Sequence, residues 1–531
     1  MSDVKNNTEV LIVGAGPSGL MMACQLAMHQ IPFRIIDKKE SATHCSGALV
    51  IQARTLEILD QMDVTGKAIN EGIQVSQIRI IFNGRKPLLV KIKDIGGDLS
   101  KFPSLLLLEQ STTEKILIDY ISKYGYEVER KIELMDFGQD AVGVTSLVKH
   151  SDGTDEVIKS QYLVAADGGQ SAIRKQLNIP FLGKTHELFL FVTDCQSDIN
   201  LAPDEICFSF SKMATSGFFP LKNGRWRIDG ALSAKSGENN LLSFSDVEKD
   251  FALRNLMNIR LYSPEWFSVF HSHQRYASTF QQKRCFLVGD AAHVYSPVGA
   301  QGMNTGMQDA YNLAWKIAFV SKGKAKASLL NTYTEERQPI SKRLVNATDR
   351  VFKLVTSENF NSKTIRLYLA PIVIKLVVLL GGKRKFIHQF LFKHIGQLGI
   401  HYRKSYDQKL FSNGKFNRKA PRPGDRLPYI LYRLGNMEVT IQEIIEGSNF
   451  HLLAFVSGNR SEEVNELVGE FSDSLVVHII NYMPETMHLF KKLGITRDGF
   501  YLIRPDMHIA YRSNGFELEH FKHSFHNLLA R

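Results

Sequence analysis

Residues Glu9 to Val13 (EVLIV) run directly into Gly14-Ala15-Gly16-Pro17-Ser18-Gly19, and this junction constrains the fold more than any other stretch of the chain. The apolar run reads as a short buried strand. Leu20, Ala23, Cys24 and Ala27 then recur at helical spacing. A second apolar run, Phe33 to Ile36, ends at Asp37. Strand, glycine turn, helix and strand make a βαβ unit, the beginning of a parallel sheet. Gly14 permits the tight turn, Gly16 lets a pyrophosphate approach bare backbone, and Gly19 lets the helix lie close to the sheet. The helix opens at Pro17, and the free N–H groups from Ser18 onward and the positive dipole end face the phosphates. Asp37 stands 18 residues beyond Gly19, where a carboxylate accepts bonds from ribose hydroxyls, with Lys38 beside it.

Two later turns repeat the strand-to-loop pattern. Gln161 to Ala166 (QYLVAA) ends in Asp167-Gly168-Gly169-Gln170-Ser171, which alone is an ordinary Asx-type turn. Arg284 to Val288 (RCFLV) ends in Gly289-Asp290-Ala291-Ala292-His293, followed by Pro297, Gly299, Ala300, Gly302, Met303 and Asn304. A long amphipathic helix through Asp309, Leu313, Trp315 and Ala318 comes next. Asp290 at a strand end can bond a sugar-alcohol hydroxyl. The glycines bring bare backbone up to a flat ring. The positive end of the helix stabilises negative charge that develops on that ring.

Taken in order, the glycine turn at 14–19, the Asp-Gly pair at 167–168 and the Gly-Asp pair at 289–290 resemble the motifs of class A flavoprotein monooxygenases, the para-hydroxybenzoate and phenol hydroxylase type. The resemblance covers GDAAHVYSPVGAQGMNTGMQDAYNLAWKIA, ARTLEIL around Arg54, LLLEQ ending at Gln110, and YTEERQP at 333–339. Ala300 stands where many relatives have glycine. The resemblance implies FAD as cofactor and NADPH or NADH as co-substrate. By it, Gly14, Gly16, Pro17, Ser18 and Gly19 meet the pyrophosphate, and Asp37 and Lys38 the ribose. Arg54 and Gln110 hold the phosphate and ribityl region, and Asp167 belongs to the motif linked to both FAD and NAD(P)H. Gly289 and Asp290 hold the ribityl chain, while Pro297, Gly302, Met303 and Asn304 line the isoalloxazine edge.

The fold class expected is α/β: a Rossmann-like FAD-binding domain with an inserted antiparallel-sheet substrate domain, a helical segment and a C-terminal thioredoxin-like α/β domain. The FAD-binding domain is discontinuous, over 1–75, 103–180 and 270–345. Strand-like segments at 76–102 and 181–269 form the substrate sheet. In it Phe208, Phe210, Phe218, Phe219, Pro220 and Trp226 are candidates for an aromatic pocket, with sheet core as the plainer reading. Helices fill 346–412, a Pro/Gly/basic linker spans 413–430, and 431–531 forms the last domain, with Arg504-Pro505-Asp506 before its final strand. That domain holds no cysteine, so thiol–disulfide chemistry is excluded there.

The net charge of +11 is concentrated: between Lys383 and Arg426 twelve basic residues face two acidic ones. Such a patch attracts nucleic acid or anionic membrane. With no nucleic-acid motif beside it, the plainer expectation is a solvated surface drawing in anionic cofactor or substrate. The five cysteines show no CxxC and no zinc spacing, which excludes a metal site of that kind and suits a reducing cytoplasm. The first residues show no export pattern. The longest apolar stretch, Ile372 to Leu380, falls short of the ~20 residues of a membrane span.

The resemblance further implies hydroxylation of a phenolic or polycyclic aromatic substrate by O2, through a flavin C4a-hydroperoxide. A homodimer is compatible with it. No catalytic residue is assigned, since His186, His271 and Tyr276 are only candidates for activating a phenol. Alternatives are a drug-inactivating hydroxylase of a tetracycline- or rifamycin-like ring, a non-oxygenating flavin reductase, and a flavin-binding scaffold. Trp226-Arg227-Ile228 lacks the WxWxIP signature of the halogenases.

Overall fold

The structure is a computed structural model describing residues 7–43, 47–93, 95–212, 215–232, 242–254, 259–297, 299–357, 359–381, 385–434, 437–458 and 460–530. Cys45, Lys383 and Arg384 lie outside the described residues.

The first sheet places Cys285–Leu287, Asp155–Ala165, Asn7–Val13, Phe33–Asp37 and Val128–Arg130 side by side, all parallel. An antiparallel extension, Ile132–Gln139 and Val144–His150, continues from Asp155–Ala165. Val10, Leu11 and Ile12 are buried without alternation, as a parallel strand covered on both faces requires. The register sets Val13 beside Ile36 and Ala165, and Ala165 beside Leu287. Gly14, Asp37, Asp167 and Gly289 therefore all emerge at one carboxyl edge.

The second sheet has eight strands, in the order His293–Val294, Leu261–Ala277, Phe181–Ser197, Trp226–Ala231, Thr215–Pro220, Glu205–Phe210, Gln77–Phe82 and Leu88–Lys91. One pair departs from the expected antiparallel pattern: Glu205–Phe210 and Gln77–Phe82 run parallel. These strands come from separate excursions of the chain, so no hairpin dictates their direction. One face buries Cys195, Cys207, Phe218, Trp226 and Ile228 under Val247 and Phe251 of the Phe244–Arg254 helix. The other carries Ile206, Phe208 and Phe219 and packs with Leu49, Val50 and Ala300. The second face thus meets the glycine loop that follows Val288.

The C-terminal sheet orders Ser412–Asn413, Ile509–Ser513, Gly499–Ile503, Phe450–Val456 and Leu475–Asn481. It packs on the Gly302–Ser321 helix, where Trp315 and Phe319 share a core with Phe450 and Phe525. The stretch 413–430 is no open tether. Leu427 and Ile430 are buried in the C-terminal core, and Arg426 pairs with Glu57 at 3.0 Å.

Candidate active site

Three turns converge at the carboxyl edge of the parallel sheet. At the first, Asp37 accepts from the Ala15 amide at 2.7 Å and from the Lys39 amide at 2.8 Å, so it holds the glycine turn in place. Gly14 has φ +104, and a Cβ there would lie 2.3 Å from the Ala166 carbonyl oxygen. A Cβ on Gly19 would lie 1.9 Å from the Gly14 carbonyl oxygen, whereas one on Gly16 would meet nothing within 4 Å. Two glycines are thus demanded by packing, and Gly16 faces open space. No side chain caps the Pro17–Met28 helix, so its first N–H groups remain available to an anion.

At the second turn, Asp167 accepts from the Ile173 amide at 3.3 Å through Oδ2, while its buried Oδ1 has no partner among the described residues. Burial raises its pKa. Arg174 ties this turn to the third, donating to the Gly169 carbonyl at 2.9 Å and to the Ala291 carbonyl at 2.8 Å.

At the third turn, Gly289 and Gly306 close around Ser18: a Cβ on either would come within 2.3 Å of Ser18 Oγ. Asp309 underlies the turn, accepting from the Gly289 amide at 3.2 Å and from Arg337 Nε at 2.7 Å, with His293 Nε2 at 2.5 Å. Burial works against the Asp309 charge, but His293 and Arg337 outweigh it and hold its pKa below the usual range. Tyr333 donates to the Leu287 carbonyl at 2.7 Å. Tyr333 and Arg337 of YTEERQP therefore act as buttresses of the Gly-Asp turn. Asp290 differs from Asp309. Its carboxylate reaches solvent while ringed by protein, whose desolvation raises its pKa, and it has no hydrogen-bond partner among the described residues.

The loop after Pro297 is clamped to Val50–Thr55. Asn304 accepts from the Gln52 amide at 2.9 Å and from Thr55 Oγ1 at 2.8 Å, and donates to the Val50 carbonyl at 2.8 Å. Gln52 Nε2 donates to the carbonyls of Gly299 and Ala300, both at 3.3 Å. Ala300 has φ +50, a left-handed conformation that favours glycine, so the departure noticed in the sequence carries local strain. Gly302 and Met303 begin the helix, and Pro297 is exposed.

The other expected cofactor residues are placed differently. Gln110 accepts from the Ala48 amide at 3.1 Å and donates to Glu114. Lys38 is exposed and lies 3.5 Å from Glu133. Arg54 is buried, donating to Glu57 at 3.0 Å and to the Asp506 carbonyl at 2.8 Å. Its guanidinium is thus engaged by Glu57 and by the C-terminal unit. The remaining set suits FAD: open backbone at Gly16, an unpartnered Asp167 oxygen, and an accessible carboxylate at Asp290.

Strand alternation divides the aromatic candidates. Phe208 and Phe210 lie on the sheet face turned to the glycine loop; Phe208 meets Phe219 edge-on at 5.7 Å, and Phe210 stacks on Phe82 at 5.4 Å. Phe218, Pro220 and Trp226 belong to the opposite face by the period-2 rule. Phe218 is wholly buried against Phe251, while Pro220 and Trp226 border a separate cleft of about 420 Å³ with Gly72–Gln74 and Pro203. The candidates do not form one wall. His186 is engaged with Asp349 at 3.0 Å, and His271 packs on Phe189.

Asp229, which sequence reasoning missed, shares the loop-facing surface with Phe208 and the candidate Phe219. Asp229 is partly accessible, and its Oδ1 accepts from the Gly217 amide at 3.0 Å. A Cβ on Gly217 would lie 2.5 Å from that oxygen and 2.8 Å from the Phe219 ring, so only glycine fits beneath them. Burial pushes the Asp229 carboxyl up to about 6, against the pull of the Gly217 amide and Arg227. Arg227, two residues along the same face, grips Asp194 through Nε and Nη2 at 2.7 Å each, and its buried Nη1 has no partner among the described residues.

A family model described as an FAD binding domain matches residues 7–348. The 6-methylpretetramide 4-monooxygenase of Streptomyces rimosus is 34% identical over 353 residues, covering 66% of this chain and 63% of that protein, just under two thirds of its length. The uncharacterized aromatic compound monooxygenase YhjG of Bacillus subtilis is 32% identical over 352 residues, covering 65% of this chain and 68% of that one. Among solved structures, aklavinone-11 hydroxylase in a ternary complex with FAD and aklavinone has a TM-score of 0.80 at 20% identity, covering 98% of both chains, which is a likeness of fold.

Proposed function

The chain belongs to the FAD binding domain family, among the class A flavoprotein monooxygenases, and on that premise we propose that it uses FAD, NADPH or NADH, and dioxygen to hydroxylate a phenolic or polycyclic aromatic ring. The observation that carries the reading is the meeting of the three motif turns at one sheet edge, opposite the sheet face bearing Phe208, Phe219 and Asp229. When bound, FAD supplies the two-electron carrier that accepts reducing equivalents from NAD(P)H and activates dioxygen. Gly14, Gly16 and Gly19, with Pro17 and Ser18, hold the pyrophosphate. Asp37 and Asp290 take ribose and ribityl hydroxyls, and the loop from Pro297 to Asn304 presents backbone to the ring system. Asp167 stands at its flank.

Phe208 and Phe219 orient a flat ring against that loop and exclude water from it. Asp229 accepts the proton of a ring hydroxyl at Oδ2 while the Gly217 amide holds Oδ1. Arg227 Nη1 offers a donor to a ring oxygen beside it. The 6-methylpretetramide named for the Streptomyces rimosus relative favours a fused-ring substrate. We assign the FAD-binding part to 1–75, 103–180 and 270–345, and the substrate sheet to 76–102 and 181–269. The unit after 431 we read as a cysteine-free thioredoxin-like fold whose role is packing. The test is NADPH and NADH oxidation under air by the flavin-loaded protein against a panel of phenols and fused-ring aromatics. Stimulation of at least tenfold by one ring class supports the reading. A basal rate unaltered by any member of the panel speaks for the reductase.

A further inference from the structure

Between residues 359 and 406 the chain holds nine lysines and arginines and no acidic residue. The structure sets part of this stretch into a continuous helical run: Phe360–Thr364, a π-turn over Ile365–Leu369, and Ala370–Gly381. Its exposed positions include Ile365, Tyr368, Leu369, Ile372, Val373 and Leu376, spaced by one, three and four residues along one helical stripe. An ordinary surface helix turns such a stripe inward and shows its charges to water. Here the order is reversed. Arg366 and Leu367 face the protein, and Arg366 donates to the carbonyls of Leu354 and Ser357 at 3.4 Å each, and to that of Val355. Phe360 is 82% exposed and Ile372 58%. The neighbouring Lys385–Ile395 helix inserts Phe392 against Gly96 and Ala53 and leaves Phe390, Leu391 and Ile395 outside.

So much contiguous exposed apolar surface marks a binding face. We propose that this face docks on an anionic lipid bilayer, lying in the interface with the aliphatic stripe in the acyl boundary and the lysines at the headgroups. The charge argues for that occupant. On these helices Lys375 and Lys393 are exposed and Lys363 is half-buried, and residues 359–406 hold no carboxylate to answer them. An isologous dimer would lay this cationic patch against its own copy. A bilayer with anionic headgroups supplies both the apolar phase and the counter-charge. No described helix is long and apolar enough to cross a membrane, so the surface lies on the bilayer and does not span it. Thr215, on the sheet face that bears Asp229, donates to the Val355 carbonyl at 3.1 Å, and Arg366 holds the same carbonyl. Docking would therefore bring the aromatic recess near lipid. That last placement rests on the proposed function; lipid binding itself does not.

The experiment is co-sedimentation of the purified full-length protein with vesicles of phosphatidylcholine alone, and of phosphatidylcholine mixed with phosphatidylglycerol. Binding to the mixed vesicles, weakening with salt, is expected. Lys363→Gln/Lys375→Gln/Lys393→Gln should weaken it roughly a hundredfold, at roughly fivefold per charge. Leu369→Ser/Ile372→Ser/Val373→Ser should weaken it at least about tenfold, since each change removes apolar surface from the acyl boundary. A thermal melt checks that each variant folds, and if the serine variant does not, the glutamine variant decides. No sedimentation of the unaltered protein with anionic vesicles at low salt overturns the proposal. So does binding that the folded variants leave unchanged. A dimer in light scattering that the serine variant splits, without any vesicle binding, assigns the face to a second copy instead.

Discussion

At the scale of single residues, the three glycines of the first turn make opposite demands. Gly16→Ala should fold normally, because its Cβ meets no protein atom, yet bind FAD at least tenfold more weakly. Gly19→Ala should be destabilised by about 1–3 kcal/mol, because its Cβ overlaps the Gly14 carbonyl. Thermal melts and flavin titrations of the two variants separate the roles; equal effects on both readouts would contradict them. Ala300→Gly should gain about 1 kcal/mol by relieving the left-handed backbone, read as a raised Tm. Asp229 carries a signed prediction. Its carboxyl is raised from the ordinary 3.8 to about 6, so the folded state binds the proton more tightly and the charged group opposes folding above pH 6. Asp229→Asn should therefore be more stable at pH 8 by about 1–2 kcal/mol, with the gain fading toward pH 4. The same variant should lose roughly a hundredfold in ring-stimulated turnover, along with the rise of rate through pH 6. A variant with a wild-type pH profile would remove Asp229 from the chemistry. Nothing in GRWRIDG announces this residue, because its raised pKa comes from burial, which depends on how the neighbouring strands pair and pack. The glycine turns were legible because their spacing is local.

At the scale of elements, strand ends were readable and strand faces were not. The apolar runs ending at Val13, Ala166 and Val288 foretold the convergence of their turns. Which aromatics share a wall depends on the phase of alternation. That phase is set by the pairing of Phe219 with Arg227 and by the Phe251 helix packed beneath Phe218. Arg54 was likewise illegible, since its partner Asp506 lies 452 residues away. The C-terminal sheet is fastened to the Gly302–Ser321 and Asn331–Thr356 helices by a buried network. Arg504 meets Glu336 at 2.6 Å, Lys316 meets Glu336 at 2.8 Å, and Arg504 also pairs with Asp506. Arg504→Ala leaves two buried carboxylates poorly matched and should cost about 3–5 kcal/mol. Burial works against the Glu336 charge, but Arg504 and Lys316 prevail and bring its pKa from the ordinary 4.5 to about 2. Its stabilisation is thus present above pH 4.5 and is lost as the pH falls toward 2. Denaturant melts of the unaltered protein and of Glu336→Gln should converge in that window; a constant gap would contradict the assignment.

At the scale of the whole molecule, the α/β character and the flavin-binding part were legible because three separated turns must meet for any of them to make sense. The fate of the basic stretch was not. Arg426 turns inward to Glu57 and Arg403 pairs with Asp425, while Lys375 and Lys393 of the helices upstream stay exposed. The molecule that results sets an open dinucleotide cradle against an aromatic, acid-bearing sheet face. The most direct test of that account is the fate of labelled dioxygen during NAD(P)H oxidation with a stimulating aromatic ligand. The account predicts a yellow, FAD-containing protein and a product carrying one oxygen atom from the labelled gas. Protein that cannot be loaded with FAD, or a product without label while NAD(P)H is consumed, would contradict it.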